Sequence, residues 1–408
     1  LPSDVLAGPA PDVAPNTADR AAPAPAPAMA ARTGLSEDAA FEITTRLAQA
    51  ERPFIVIGGG GWSSRAAHRL QAFAELLNVP VATAPRRQDF IDNRSAVYAG
   101  HVGTGAPAGL VSALRDSDAL LVIGAVASEL AAAGILPIDG RAEGPALLQI
   151  TATLGDAATS AQPVIQALCA NQEAVDQLFL ASQDLVAEAP ALADPPRRVD
   201  RLRELHNAQV TARQPEPGPG TVQLGEVIRT VADTAPDAII CSGTGNYIAW
   251  VQRHHPFTAY GTQLATTADA KGFGLPAAIA AALTTPERPI ICYAGDGCFM
   301  ATAGELATVR QYGLKLTVIV ANNGMFGAVR MHQESQYPER IAGTTLVNPD
   351  FVALAGAYGG RAWRVSQTAA FSQCLAEALD HEGVSLIELQ LDPNAMTPTA
   401  SLQDVRGG

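Results

Sequence analysis

Cysteine is scarce in this chain, and positive charge is in the minority. The five cysteines, Cys169, Cys241, Cys292, Cys298 and Cys374, are scattered and form no Cys-x-x-Cys pair. That pattern argues against a disulfide framework or a cysteine zinc site. It points to a reducing, cytoplasmic compartment. Lys and Arg total 27 against 40 Asp and Glu, a net charge of −13 over 408 residues. No basic block interrupts this excess. Nucleic acid and anionic membrane surfaces are therefore poor partners. No apolar run approaches the roughly 20 residues that cross a bilayer. No signal peptide is expected from the residues given, and the first of them is Leu1 rather than Met.

Apolar residues make up 48% of the chain, enough for sizeable cores in two or three domains. Residues 7–34 are dominated by Ala and Pro, as in Ala22-Pro23-Ala24-Pro25-Ala26-Pro27. Such a segment reads as an extended, semi-rigid linker. A domain over 36–185 follows. Ser36 is placed to cap a helix, and strands are predicted at Pro53–Gly58, Val79–Ala84, Ala119–Gly124 and Ala146–Thr151. Residues 186–220 carry Pro190, Pro195, Pro196, Pro215, Pro217 and Pro219 and read as a second linker. The last domain, 221–408, has strands near Asp237–Ser242, Pro289–Gly295, Leu316–Asn322 and Val384–Leu391. Alternating strands and helices predict an α/β fold of two doubly wound parallel-sheet domains, preceded by the Ala/Pro-rich linker. Met396–Gly408 shows no periodicity and reads as a tail.

One stretch organises the rest. The strand Pro289–Tyr293 leads into Ala294-Gly295-Asp296-Gly297-Cys298. Met300, Leu306, Val309 and Tyr312 then recur at helical spacing up to Gly313, a C-cap. A second strand, Leu316–Val320, runs into Asn322-Asn323-Gly324. A right-handed strand–helix–strand unit puts Asp296 and Asn323 at the carboxyl ends of parallel strands, where open sheets bind ligands. A carboxylate, an amide oxygen and a following carbonyl are hard donors suited to Mg²⁺ that bridges to phosphate. Gly297 lets backbone approach an anion, and the next helix offers free N–H groups. A tight Gly-Asp-Gly turn is the plainer reading of the first half. The Asn pair at the next strand end favours the metal and diphosphate. Ser242–Tyr247 is a second small-residue loop after a strand, fit either to wrap a phosphate or to serve as a turn capped by Asn246.

Gly295-Asp296-Gly297 with Asn322-Asn323, Asp296 and Asn323 lying 27 apart, resembles the thiamine-diphosphate motif. Gly272-Phe273-Gly274-Leu275-Pro276-Ala277-Ala278 matches a second signature of those enzymes. From about residue 36 onward the chain is similar to the acetolactate synthase, benzoylformate decarboxylase and benzaldehyde lyase group. This resemblance is specific for the cofactor and weak for the substrate. It implies thiamine diphosphate and Mg²⁺, with Asp296, Asn323 and the Met325 carbonyl as metal ligands. The implied cofactor contacts are Gly243, Asn246, Tyr247, Asp269, Gly295, Gly297, Cys298 and Met325. Asp269 stands where relatives place a small residue whose carbonyl meets the aminopyrimidine. Lys271 stands where relatives place a bulky apolar wedge under the cofactor. Its ammonium would repel a thiazolium unless neutral or paired with Asp269; alternatively its stem supplies the wedge.

The implied activity is a lyase or carboligase acting on 2-oxo acids or acyloins. A simple 2-oxo acid decarboxylase and a non-catalytic homologue stand as alternatives. Gly58-Gly59-Gly60-Gly61 lacks the full dinucleotide spacing, so FAD or ADP in the central domain is left open by the family alone. Arg330 and His332 follow the motif as substrate-acid contacts or as exposed helix residues. Leu1–Leu6 resembles the last strand of a preceding pyrimidine-binding domain, which in relatives supplies an activating glutamate. That domain is expected from the same gene product or a second chain, within a homodimer or homotetramer.

Overall fold

The computed structural model describes residues 32–103, 105–125, 130, 134–136, 145–152, 163–192, 196–266 and 270–407. Leu1–Leu6, most of the Ala/Pro-rich linker and Asp269 lie outside the described residues. Two parallel sheets form the body. The first contains β1 (Arg32–Thr33), β2 (Pro53–Ile57), β3 (Val81–Thr83), β4 (Tyr98–His101), β5 (Ala119–Ile123), β6 (Ala146–Thr151) and β7 (Ile165–Leu168), in the order β1-β7-β6-β5-β2-β3-β4. The second contains β8 (Ile239–Ser242), β9 (Gln263–Ala265), β10 (Ile290–Gly295), β11 (Leu316–Asn322), β12 (Arg361–Val365) and β13 (Val384–Gln390), in the order β12-β13-β11-β10-β8-β9. A short hairpin, β14 (Ala395–Thr397) and β15 (Ala400–Ser401), follows.

The sequence explains why these sheets are parallel and covered. β2 reads Pro-Phe-Ile-Val-Ile and β5 reads Ala-Leu-Leu-Val-Ile, with every residue buried. Continuous apolar runs need apolar cover on both faces, which crossover helices provide. Ile55 and Ile57 join one core while Phe54 and Val56 join the other, on the opposite face. β10 and β11 divide their side chains in the same way. Ser36 and Ser63 cap helices Glu37–Gln49 and Ser64–Leu77, each accepting from a backbone N–H three residues on.

Each sheet has a switch point at which successive strands are added on opposite sides. In the first sheet the switch point lies between β2 and β5, beside Gly58–Gly61. There the glycines serve close packing. A Cβ on Gly59 would sit 2.1 Å from the Gly124 carbonyl, and one on Gly124 would sit 2.4 Å from the Asn171 amide. Asn171 also donates to the Gly60 carbonyl at 2.8 Å. In the second sheet the switch point lies between β8 and β10, and it opens the crevice described below.

Three sequence expectations change. The helix after Gly297 is not continuous. It breaks into Asp296–Met300, a single turn at Ala303–Glu305, and Leu306–Gln311. Thr302 leaves helical geometry, and its hydroxyl donates to the Gly272 carbonyl at 3.0 Å. Leu306 and Val309 reach the core, but Met300 and Tyr312 are 41% and 61% exposed. Gly313 does terminate the helix, with φ +59°. Much of 186–220 is helical, at Pro196–Ala212. Its Arg198 is buried and donates to the Leu77, Ala48 and Ala50 carbonyls, closing two helix C-termini. Residues 395–407 are no loose tail. They form the hairpin and the helix Leu402–Gly407.

Candidate cofactor and metal site

A cavity of about 400 Å³ opens at the carboxyl end of the second sheet, over the β8–β10 switch point. Gly295, Asp296, Asn323, Met325, Asn246 and Lys271 are on its wall. β10 delivers Asp296 and β11 delivers Asn323, held in parallel register from Ile291↔Thr317 to Gly295↔Ala321.

Asp296 is buried and fully oriented. Its Oδ1 accepts from Gly297 N–H at 2.8 Å. Its Oδ2 accepts from Gly324 N–H at 2.9 Å and from the Asn348 amide at 2.8 Å. Burial pushes this carboxyl up from its ordinary value, while the Asn348 and backbone donors pull the other way. Asn322 and Asn323 divide their work. Asn322 turns into the fold, donating to Glu388 at 2.7 Å and accepting from Asn348 at 3.0 Å. Asn323 accepts only a long 3.3 Å contact, from Met325 N–H.

The Met325 carbonyl has a definite direction. Met325 and Thr345 form an antiparallel bridge held by Phe326 N–H to Thr344 and Leu346 N–H to Gly324. In such a pair the two facing residues turn their own N–H and C=O groups away from each other. The Met325 carbonyl therefore points away from Thr345. Asp296, Asn323 and Met325 all line the cavity, and a carboxylate, an amide oxygen and a backbone carbonyl are donors of the kind Mg²⁺ accepts while keeping water. Among the described residues no trio of His, Cys, Asp or Glu is grouped to hold a metal, so a cation here depends on amide and carbonyl oxygens.

The anion side fits too. Helices Asp296–Met300, Ile248–His254 and Gly327–Gln336 begin at this cavity, and none has a side-chain cap. Their first-turn N–H groups present partial positive charge toward the cavity, whose wall also carries Lys271, Arg253, Glu216, Asp392 and Asp404. Glycine is needed here for packing. A Cβ on Gly297 would lie 2.3 Å from the Phe326 ring, and one on Gly243 2.5 Å from the Cys298 sulfur. Cys298 is buried and accepts from Gly272 N–H at 3.1 Å. Tyr247 is buried, and its hydroxyl joins Gly243 N–H to the Tyr293 carbonyl, both at 3.2 Å. Asn246 donates to the Met396 carbonyl at 3.0 Å, fastening the C-terminal hairpin over the cavity.

Lys271 is exposed on the cavity wall, with its ammonium 5.4 Å from the Phe326 ring centroid. Arg330 pairs with buried Glu334 at 2.8 Å instead of facing a substrate, and His332 is exposed. Glu334 also takes both arms of Arg406 at 2.9 Å and the Glu339 N–H at 2.7 Å. Those donors, Arg406 foremost, hold its carboxyl down to about 2. Sequence reasoning missed Asn348 and Glu334. Their contacts span 52 and 72 residues, and no local pattern marks them.

Fold and cavity together define a parallel α/β protein with its cavity at the carboxyl ends of the strands, over a switch point of the second sheet. Residues 243–389 match the thiamine pyrophosphate enzyme C-terminal TPP-binding domain, and residues 41–178 match the central domain of the same enzymes. The chain belongs to the thiamine pyrophosphate enzyme family. It is 28% identical over 356 residues to the acetolactate synthase large subunit of Parasynechococcus marenigrum, covering 84% of this chain and 54% of that protein. It is 26% identical over 357 residues to the acetolactate synthase isozyme 2 large subunit of Escherichia coli, covering 85% and 61%. The chain thus spans little more than half the length of these relatives. In fold it resembles a thiamine diphosphate-dependent 4-hydroxybenzoylformate decarboxylase of Rhodococcus jostii, with TM-score 0.70, 23% identity and coverage of 88% and 65%. Among the described residues, no helix is long and apolar enough to cross a membrane.

Proposed function

We propose that this chain supplies the diphosphate- and Mg²⁺-binding half of a thiamine-diphosphate enzyme that makes or breaks a C–C bond in 2-oxo acids or acyloins. The placement of Asp296, Asn323 and Met325 on the wall of one cavity, beside uncapped helix starts, supports this reading. Bound thiamine diphosphate supplies a carbon nucleophile and a sink for the electron pair of the cleaved bond. The protein's task is placement. Asp296, Asn323 and Met325 hold the cation. Gly295, Cys298 and the start of Gly327–Gln336 offer backbone N–H groups to the phosphates, while Gly297, whose N–H meets Asp296, contributes by its lack of a side chain. Asn246 and Tyr247 brace that cradle from behind, with Gly243. The hairpin 395–401 keeps water off one side. A pyrimidine-binding domain, from the same gene product or a second chain within a homo-oligomer, completes the site in this reading.

Calorimetric titration of thiamine diphosphate, with Mg²⁺ and then with EDTA, tests the proposal. Saturable uptake that requires Mg²⁺ is expected. No uptake, even by the chain joined to a pyrimidine-binding domain, would refute it. Exposed Lys271 over Phe326 favours one second reading, a homologue with weakened cofactor activation.

A further inference from the structure

Asn348 lies outside the sequence motifs, in the loop before the helix Phe351–Ala357. Its amide nitrogen donates to Asp296 Oδ2 at 2.8 Å and to Asn322 Oδ1 at 3.0 Å. It is itself placed by a rigid frame. Asn322 donates to Glu388 at 2.7 Å, Glu388 accepts from Arg364 at 2.8 Å, and Arg364 reaches Asp350 at 2.8 Å. Glu388 and Arg364 stand on adjacent parallel strands, β13 and β12, in register.

Lone-pair accounting gives this contact a specific meaning. A carboxylate oxygen accepts about two in-plane donors. Oδ2 of Asp296 already has two, Gly324 N–H and Asn348. Oδ1 has one, Gly297 N–H. The Met325 N–H also acts on this carboxyl, after the other three donors; Oδ1 is the less crowded oxygen and the one with room for a cation. We propose that Asn348 is a positioning residue that blocks Oδ2 and thereby makes Asp296 a one-oxygen ligand. This rests on the cofactor reading above. Mg²⁺ demands near-octahedral coordination by single oxygens, whereas Ca²⁺ accepts both oxygens of one carboxylate. Asn348 therefore sets metal choice as well as metal affinity.

The test compares the whole chain with its N348A and N348L variants. Mg²⁺ and Ca²⁺ are each titrated calorimetrically in saturating thiamine diphosphate, and melting is followed in parallel. Both variants lack the donor, and N348L keeps the bulk, so either one that folds suffices. Expected is a fall in Mg²⁺ affinity of about 10- to 100-fold. Ca²⁺ affinity falls less or rises, so the Mg²⁺/Ca²⁺ ratio drops at least about tenfold. A general loss of structure would lower both affinities together and overturn the proposal. So would an unchanged ratio. Uptake of neither metal with cofactor by the wild-type chain, even when joined to a pyrimidine-binding domain, would instead overturn the cofactor reading itself.

Discussion

Asp89 is a buried acid without a counter-ion in contact, and its cost can be worked out. It sits in the turn Gln88–Phe90 between the two sheets, 3% exposed. Oδ2 accepts from Gly261 N–H at 2.9 Å and Gln263 N–H at 3.2 Å, while Oδ1 is buried without a partner. Burial pushes its pKa from 3.8 to about 6, against the backbone donors and the charge of Arg87. The sign follows from linkage. Between pH 4 and 6 the unfolded chain releases this proton and the folded chain keeps it. Stability therefore falls as pH rises through that window and is level above it. Two pH units correspond to about 3 kcal/mol. In Asp89→Asn the amide oxygen accepts the same two N–H groups, and the charge is gone. Its NH₂ then lacks a partner, which costs roughly 1–2 kcal/mol. The variant is thus expected to be less stable than wild type at pH 4 and more stable by about 1–2 kcal/mol at pH 8. Urea unfolding at half-unit steps, followed by fluorescence, reads the crossing. Parallel wild-type and variant curves from pH 4 to 8 would refute the reasoning.

Four further outcomes are expected. Arg198→Met strips two buried carbonyls and a partly buried one of their donor and lowers stability by about 3–5 kcal/mol, read as a lower melting temperature. Gly297→Ala drives a methyl into Phe326 and abolishes calorimetric uptake of thiamine diphosphate; Gly304→Ala, with open space at its Cβ, leaves uptake unchanged. Arg406→Ala releases the helix Leu402–Gly407 from Glu334, and limited proteolysis should then cut first within 395–407. Lys271→Leu, measured in the protein joined to a pyrimidine-binding domain, speeds proton exchange at the thiazolium carbon if the ammonium opposes it; unchanged exchange removes any role for that charge.

The long buried strands were legible because they are continuous apolar runs. Ala119–Ile123, Ile290–Gly295 and Leu316–Asn322 appear at or within a residue or two of their expected bounds. The edge strands Tyr98–His101 and Gln263–Ala265 were not, being short and partly polar. Pairing with β3 and β8 makes them strands. Asp296 and Asn323 were readable because two strand ends announce them. Asn348 was not, since its role exists only after a loop folds back onto β10 and β11. The overextended helix after Gly297 failed at Thr302, whose hydroxyl prefers the Gly272 carbonyl to helical continuation. Arg198 hid among charged neighbours, in a segment read as a proline-rich linker.

Synthesis runs from the N-terminus, so the parts of this cavity do not become available together. Asn246 waits 150 residues for the Met396 carbonyl, and Glu334 waits 72 for Arg406. Every strand of both sheets precedes residues 395–407 in the chain. A nascent chain can therefore bury its cores early while its cavity still stands open on one side. Cutting away residues 395–407 would leave the folded sheets standing around a cavity opened on one side.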